Sequence, residues 1–141
     1  MNIVTEVFRS LDKWADHPVF IESVPPRAPV HTGAQEFKQR IIETADFLER
    51  SGIERNHLVP LFLENSVDFI CCFLGLVRIG AKPIPVKLEY RQSELDEIFK
   101  NSEPQAVISE ASHLEIIKPY LSEKIVITRE NRELKLQQKA T

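Results

Sequence analysis

The run from Phe69 to Val77 is the longest apolar stretch in the chain, and it is bounded by Asp68 and Arg78. It is far short of the roughly 20 apolar residues needed to cross a bilayer. As a helix over residues 66–79 it would be apolar nearly all round, so it must be buried rather than lie on a surface. Asn65-Ser66-Val67-Asp68 supplies a capping signal at its start and Gly80 ends it. The segment before it, His57 to Leu63, reads as a strand apolar on both faces, as suits a central parallel strand covered on two sides. Pro60 argues against that placement, because it removes one ladder donor.

The rest of the chain extends this strand and helix alternation. Val4, Val7, Phe8, Leu11 and Trp14 share one face of a helix over residues 2–15. Val19-Phe20-Ile21 is a short strand, and Pro25, Pro26 and Pro29 then predict a loop or irregular hairpin. Thr32 and Gln35 have capping-box spacing, ahead of a helix with a stripe of Phe37, Ile41, Ala45 and Leu48 that stops at Gly52. Lys82 to Val86 is a strand broken by Pro83 and Pro85, hence short or irregular. Ser93 is predicted to cap a helix carrying Leu95, Ile98 and Phe99. Strands follow at residues 105–109 and 124–128, with a helix between them capped by Ser112. This order predicts an α/β fold: a three-layer α/β/α arrangement with a mostly parallel sheet and right-handed crossovers. Residues 1–128 are expected to form a single domain. Residues 129–141 are expected to be a polar tail or linker, with a short edge strand through Leu134 and Leu136 as the competing reading.

Charge excludes several function classes. Eighteen basic and 21 acidic residues are mixed along the 141-residue chain, for a net charge of −3. That leaves no electrostatic footprint for nucleic acid and no polybasic run for an anionic membrane. The start, Met1 to Glu6, places an acid where a secretory signal needs basic charge, so a cytoplasmic protein is the expectation. Cys71 and Cys72 are adjacent and sit in the most apolar part of the chain; they read as small core hydrophobes, with no spacing to complete a metal site.

Only four glycines occur, at positions 33, 52, 75 and 80. None forms a Gly-x-Gly-x-x-Gly turn or a phosphate loop, the usual means by which an α/β domain lets backbone N–H groups approach phosphate. The histidines, His17, His31, His57 and His113, are scattered and lack a nucleophile context. Candidate binding residues sit instead in the turns after two strands, on the side where such sheets take ligands. Glu64 and Glu89 could form a carboxylate pair, or they are separate capping and solvated acids. Lys87 and Arg91 could attract an anion at the same edge, or they are solvated loop charges. Asn65 lies in the same turn as Glu64.

Six segments, taken in order, resemble the early part of the adenylate-forming superfamily, which includes acyl-CoA synthetases, luciferases and the adenylation domains of peptide synthetases. Thr32-Gly33-Ala34-Gln35-Glu36-Phe37 resembles its T-Y-x-E-L helix start, with Gly33 in place of the aromatic. Phe47 to Ile53 is similar to L-x-x-x-G-V, and His57 to Ser66 to D-x-V-A-L-x-L-x-N-S. Phe69 to Ala81 is similar to F-x-x-A-F-L-A-x-L-K-A-G-A, and Pro83-Ile84-Pro85-Val86 to the strand after it. Glu94 to Pro104 resembles E-L-x-Y-I-L-x-D-S-x-P/A. No single piece is specific; the series is.

The resemblance implies a parent that uses ATP and Mg²⁺ to convert a carboxylic acid to an acyl-adenylate and passes it to a thiol such as coenzyme A. The family's Ser/Thr/Gly-rich loop with its lysine, its aromatic-Thr-Glu segment, its ribose-binding aspartate and its C-terminal lysine match no position here. The implied role is therefore a scaffold fragment, inactive alone, whose partner is the remainder of the ligase chain. The alternative is a stand-alone binding or assembly module, including a homo-oligomer joined through an exposed sheet edge. An unrelated receiver-like domain fits less well, because the first strand is followed by Glu22 and prolines rather than an acidic cluster.

Overall fold

The computed structural model describes residues 3–14, 17–23 and 28–140. The expected helix ends at residues 2 and 15, the Trp14 side chain, Pro25 and Pro26 of the proline loop, and Thr141 lie outside the described residues. Seven strands and five α-helices are described. They are α1 (Ile3–Trp14), β1 (Pro18–Glu22), β2 (Val30–Gly33), α2 (Ala34–Arg50), β3 (Leu58–Phe62), α3 (Val67–Arg78), β4 (Lys82–Pro85), α4 (Gln92–Ser102), β5 (Ala106–Glu110), α5 (Leu114–Ile117), β6 (Ile125–Glu130) and β7 (Glu133–Gln138).

The apolar run forms α3, and its surroundings explain its sequence. Cys72 and Leu76 pack on the sheet with Val59, Leu61, Ala106, Ile108 and Ile127. Val67, Cys71 and Leu74 pack the other way, against Val4 and Leu11 of α1 and Phe37 and Ile41 of α2. A helix held between two apolar neighbours has no face left for charge. Gly75 lets α2 approach closely, since a Cβ there would lie 3.2 Å from the Ala45 nitrogen. The Ser66 hydroxyl caps the helix by accepting from the Phe69 N–H at 3.1 Å.

The main sheet has the order β4-β3-β5-β6-β7. The first three pairings are parallel and β6–β7 is antiparallel. The second face of the sheet, with Phe62, Val107 and Val126, is covered by Leu95 and Phe99 of α4 and Ile117 of α5. The α/β/α layering and mostly parallel sheet therefore match the sequence reading. β1 and β2 form a separate antiparallel pair, fixed to α2 by an edge-to-face contact of Phe20 on Phe37 at 4.9 Å.

Pro60 is tolerated in central β3 because of where its missing donor falls. The Leu58 carbonyl accepts from Gln105 N–H, and the Leu58 N–H donates to the Gln105 side chain at 2.7 Å, so even-numbered residues of β3 face β5. Backbone pairing of β3 with β5 registers only from Leu61 onward, beyond the proline.

β4 is short, four residues, as its two prolines predict, yet it pairs with β3 in unbroken register. Lys82 and Val86 donate to His57 and Leu61 of β3, so the nitrogens of Pro83 and Pro85, between them, point away from the sheet. This edge offers an incoming strand no N–H at those two positions.

Four other expectations are corrected. Thr32 does not cap α2: pairing with Phe20 holds it in β2, and its hydroxyl is buried without a hydrogen-bond partner among the described residues. The α2 cap residue is Gly33, and Ala34 N–H donates to the His17 carbonyl at 3.0 Å. Helix α4 begins before Ser93, with Arg91 as cap residue and Glu94 accepting its N–H at 3.1 Å. The helix expected after Ser112 is broken into 3-10, α and 3-10 turns over residues 111–120. Pro119 has no N–H to return to the carbonyl four residues earlier. Finally, residues 129–138 form strand and turn rather than a tail. β6 runs on to Glu130, and the edge-strand alternative holds, with Leu134 and Leu136 packed against the core. Asn131 and Arg132 both have positive φ (51° and 65°), the geometry of a two-residue hairpin turn matched to strand twist.

Candidate functional site

The carboxyl ends of β3 and β4 open into a cleft of about 760 Å³. Its walls are the β3–α3 connection (Leu63, Glu64, Asn65) and the β4–α4 connection (Val86 to Tyr90), with Phe69 of α3 at the side. Four of the five residues singled out in the sequence, Glu64, Asn65, Lys87 and Glu89, line it, and all four are solvent-exposed. Arg91 is not in the lining; it starts α4, exposed. The cleft mixes Leu63, Val86 and Leu88 with both signs of charge, so it suits an amphipathic ligand better than a polyanion.

One strand over lies a part-buried ion cluster that sequence reading missed. Arg129, at the end of β6, donates from Nε to Asp68 Oδ2 at 2.7 Å and from Nη1 to Glu110 Oε2 at 3.0 Å. Arg40 of α2 pairs with the other oxygen of Asp68. Glu110 Oε2 also accepts the backbone N–H of Glu64 at 2.9 Å. Glu22 of β1 accepts from Val67 N–H at 3.1 Å and pairs with Arg132 at 3.0 Å. The side chains of Arg129, Asp68 and Glu110 are each 11–13% exposed. Burial opposes the charge on Arg129, but the Asp68 hydrogen bond and the Glu110 charge outweigh it and raise its pKa above the ordinary value. The only sequence signal for this cluster is a charge directly after an apolar strand or before an apolar helix, which says nothing about pairing.

The cluster occupies the position where α/β sheets ordinarily take ligands. The chain leaves β3 toward one face and β5 toward the other, so the crevice between their ends is the topological switch point. Here Glu110 bridges that crevice to Glu64. At the start of α3 the N–H groups of Val67 and Phe69 are taken by Glu22 and Ser66. Two of the donors that could cradle a phosphate are thus already engaged, and carboxylates stand beside them. Among the described residues no group of three or more His, Cys, Asp or Glu side chains could hold a metal ion.

Other titratable groups serve the core. Cys71 and Cys72 are buried and free, and burial pushes the Cys71 thiol up to about 12, leaving it unreactive. His113 stacks on Phe62 at 5.9 Å, and burial lowers its pKa from an ordinary value near 6.5 despite the Glu110 charge. The folded state therefore prefers the neutral ring. Above pH 6.5 the ring is neutral in both states and its contribution is complete. As pH falls from there toward the folded-state pKa, the unfolded chain takes the proton first and stability is lost. Urea midpoints at about pH 7 and pH 5 should fall further for the wild type than for His113→Gln.

A family model described as "AMP-binding enzyme" matches residues 7–141. The chain belongs to the AMP-binding enzyme family. Crotonobetaine/carnitine–CoA ligase of Shigella flexneri is 33% identical over 76 residues, covering 54% of this chain and 15% of that protein. A medium/long-chain-fatty-acid–CoA/3-oxocholest-4-en-26-oate–CoA ligase of Mycolicibacterium smegmatis is 26% identical over 108 residues, covering 73% and 20%. Among solved structures, a long-chain-fatty-acid–CoA ligase from Archaeoglobus fulgidus superposes with a TM-score of 0.79 at 21% identity, covering 94% of this chain and 28% of that one. A benzoate–CoA ligase from Burkholderia xenovorans gives 0.80 at 18%, covering 92% and 26%. These structures share the fold. The chain spans a fifth or less of the curated relatives just described. No helix among the described residues is long and apolar enough to cross a membrane. For this AMP-binding family chain the cleft and the ion cluster are thus parts of a framework much shorter than its relatives.

Proposed function

We propose that the chain is the N-terminal scaffold portion of a cytoplasmic, ATP-dependent ligase that activates a carboxylic acid as its acyl-adenylate and transfers it to a thiol such as coenzyme A. The family match over residues 7–141, at 15–20% of the relatives' length, carries this reading. ATP and Mg²⁺ would be held by the remainder of the ligase; at the switch point here the Val67 and Phe69 N–H groups are engaged internally. The cleft residues Glu64, Asn65, Lys87 and Glu89 would face the acid-binding side, with Arg91 at its rim. The isolated 141 residues should show no acid-dependent ATP–pyrophosphate exchange, and detectable exchange would overturn the scaffold reading. The intact mass of the native protein in its own cells should lie far above 16.2 kDa. A native mass equal to this chain would favour the second reading, a stand-alone assembly module.

One observation bears on that second reading. With the β4 edge lacking donors at two positions, β7 is the edge along which a second copy could add. Sedimentation at high concentration separates the cases: a monomer goes against the module reading, a dimer supports it.

A further inference from the structure

Both ends of the short connection between β3 and α3 are tied to one guanidinium. At its start, Glu64 N–H donates to Glu110 Oε2 at 2.9 Å, and the same oxygen accepts from Arg129 Nη1 at 3.0 Å. At its far end, Asp68 in the first turn of α3 accepts from Arg129 Nε at 2.7 Å and is held from behind by Arg40. Glu64 and Asn65, between these two ties, form one wall of the cleft. Their own side chains are exposed, so the position of this wall is set largely by what grips the backbone. A guanidinium presents its donors in a rigid fork, so it can hold two carboxylates at a fixed separation.

We infer that Glu110, clamped by Arg129, is a positioning residue that fixes the β3–α3 connection as the wall of the cleft, acting through the Glu64 N–H without touching a ligand. Its relevance to an acid substrate rests on the reading of the cleft given above; the clamp itself does not. The carboxylate is nearly buried, which strengthens its hold on both partners. It also spans the two strands whose connections leave for opposite faces, so it links cleft geometry to β6 through a contact that local sequence does not supply.

Amide hydrogen exchange of the 141-residue chain tests this without any ligand, so an inert cleft would not affect the outcome. Glu110→Ala should lower protection of the Glu64 amide by about tenfold, while Leu61 and Val107 amides keep theirs. Glu110→Gln, which keeps a side-chain oxygen for the Glu64 N–H, should restore most of that protection and guards against a variant that simply unfolds. Arg129→Lys, whose point charge cannot fork between two carboxylates, should loosen Glu64 and the start of α3 together. The inference fails if Glu64 exchanges as slowly in Glu110→Ala as in the wild type. It also fails if protection falls equally across β3, β5 and β6, which would mark Glu110 as a general stabiliser.

Discussion

Arg129→Met should destabilise the fold by about 3 kcal/mol, because it leaves the largely buried Asp68 and Glu110 carboxylates without their shared partner. Taking a charge out of water is costly, and only the opposing charge and its hydrogen bonds offset that cost. Arg40 still reaches Asp68 in this variant, but among the described residues no other cation is paired with Glu110. The lost energy is therefore mostly the penalty on the orphaned acids, not the worth of the pair. The thermal midpoint should drop by roughly 10 °C or more for a chain of this size. The sign of a second experiment separates the two: adding Asp68→Asn and Glu110→Gln to Arg129→Met should recover part of the loss. If the triple variant is less stable than Arg129→Met alone, the penalty on the orphaned acids is not the main part of the loss.

Phe62→Ala should cost a similar amount, about 3–5 kcal/mol, by a different route. Phe62 is fully buried and stacks between Phe99 at 5.9 Å, with the rings 6° apart, and His113 at 5.9 Å. Phe99 continues the column onto Tyr120 at 4.6 Å. Truncation removes the ring that joins β3 to both helices of that face, and the stiff sheet beneath cannot collapse to fill the void. Phe62→Leu should recover more than half of the loss. Denaturant melts of the three proteins, with unchanged slopes, would check this. A loss under about 1 kcal/mol for Phe62→Ala would mean that α4 and α5 repack freely.

Much of the fold was legible because its signals are local. The apolar run at residues 69–77, the all-apolar strand around Leu61 and the apolar starts of the strands through Val107 and Val126 each reflect burial on both sides, and burial writes itself into sequence. Pro83 and Pro85 signalled a short strand correctly, but not that its pairing would be unbroken, for a physical reason. A proline's effect in a strand depends on which neighbour its nitrogen faces, and register, which fixes that, is not a local property. The same holds for Thr32, whose hydroxyl would suit a cap until pairing with Phe20 claimed it for a strand. Of the cleft, the turn residues Glu64, Asn65, Lys87 and Glu89 could be found by the rule that ligands approach the carboxyl ends of parallel strands. Asp68, Glu110 and Arg129 could not, because nothing local announces that an acid at 68, another at 110 and a base at 129 will meet. Their pairing is written only in the strand order.

The two margins of the sheet resist unwanted strands by different physics. On β4 the resistance is covalent, since the nitrogens of Pro83 and Pro85 have nothing to donate. On β7 it rests on the exposed Glu133 and Lys135 side chains and the bulge near its end. In parallel, in-register addition Glu133 meets Glu133 and Lys135 meets Lys135, and that repulsion fades within about 10 Å at ordinary salt and further as salt rises, whereas a missing hydrogen does not respond to ions at all. Fibril-like templating of this chain should therefore begin at the β7 margin in concentrated salt and leave the proline margin untouched, giving the sheet a single direction in which it can misassemble.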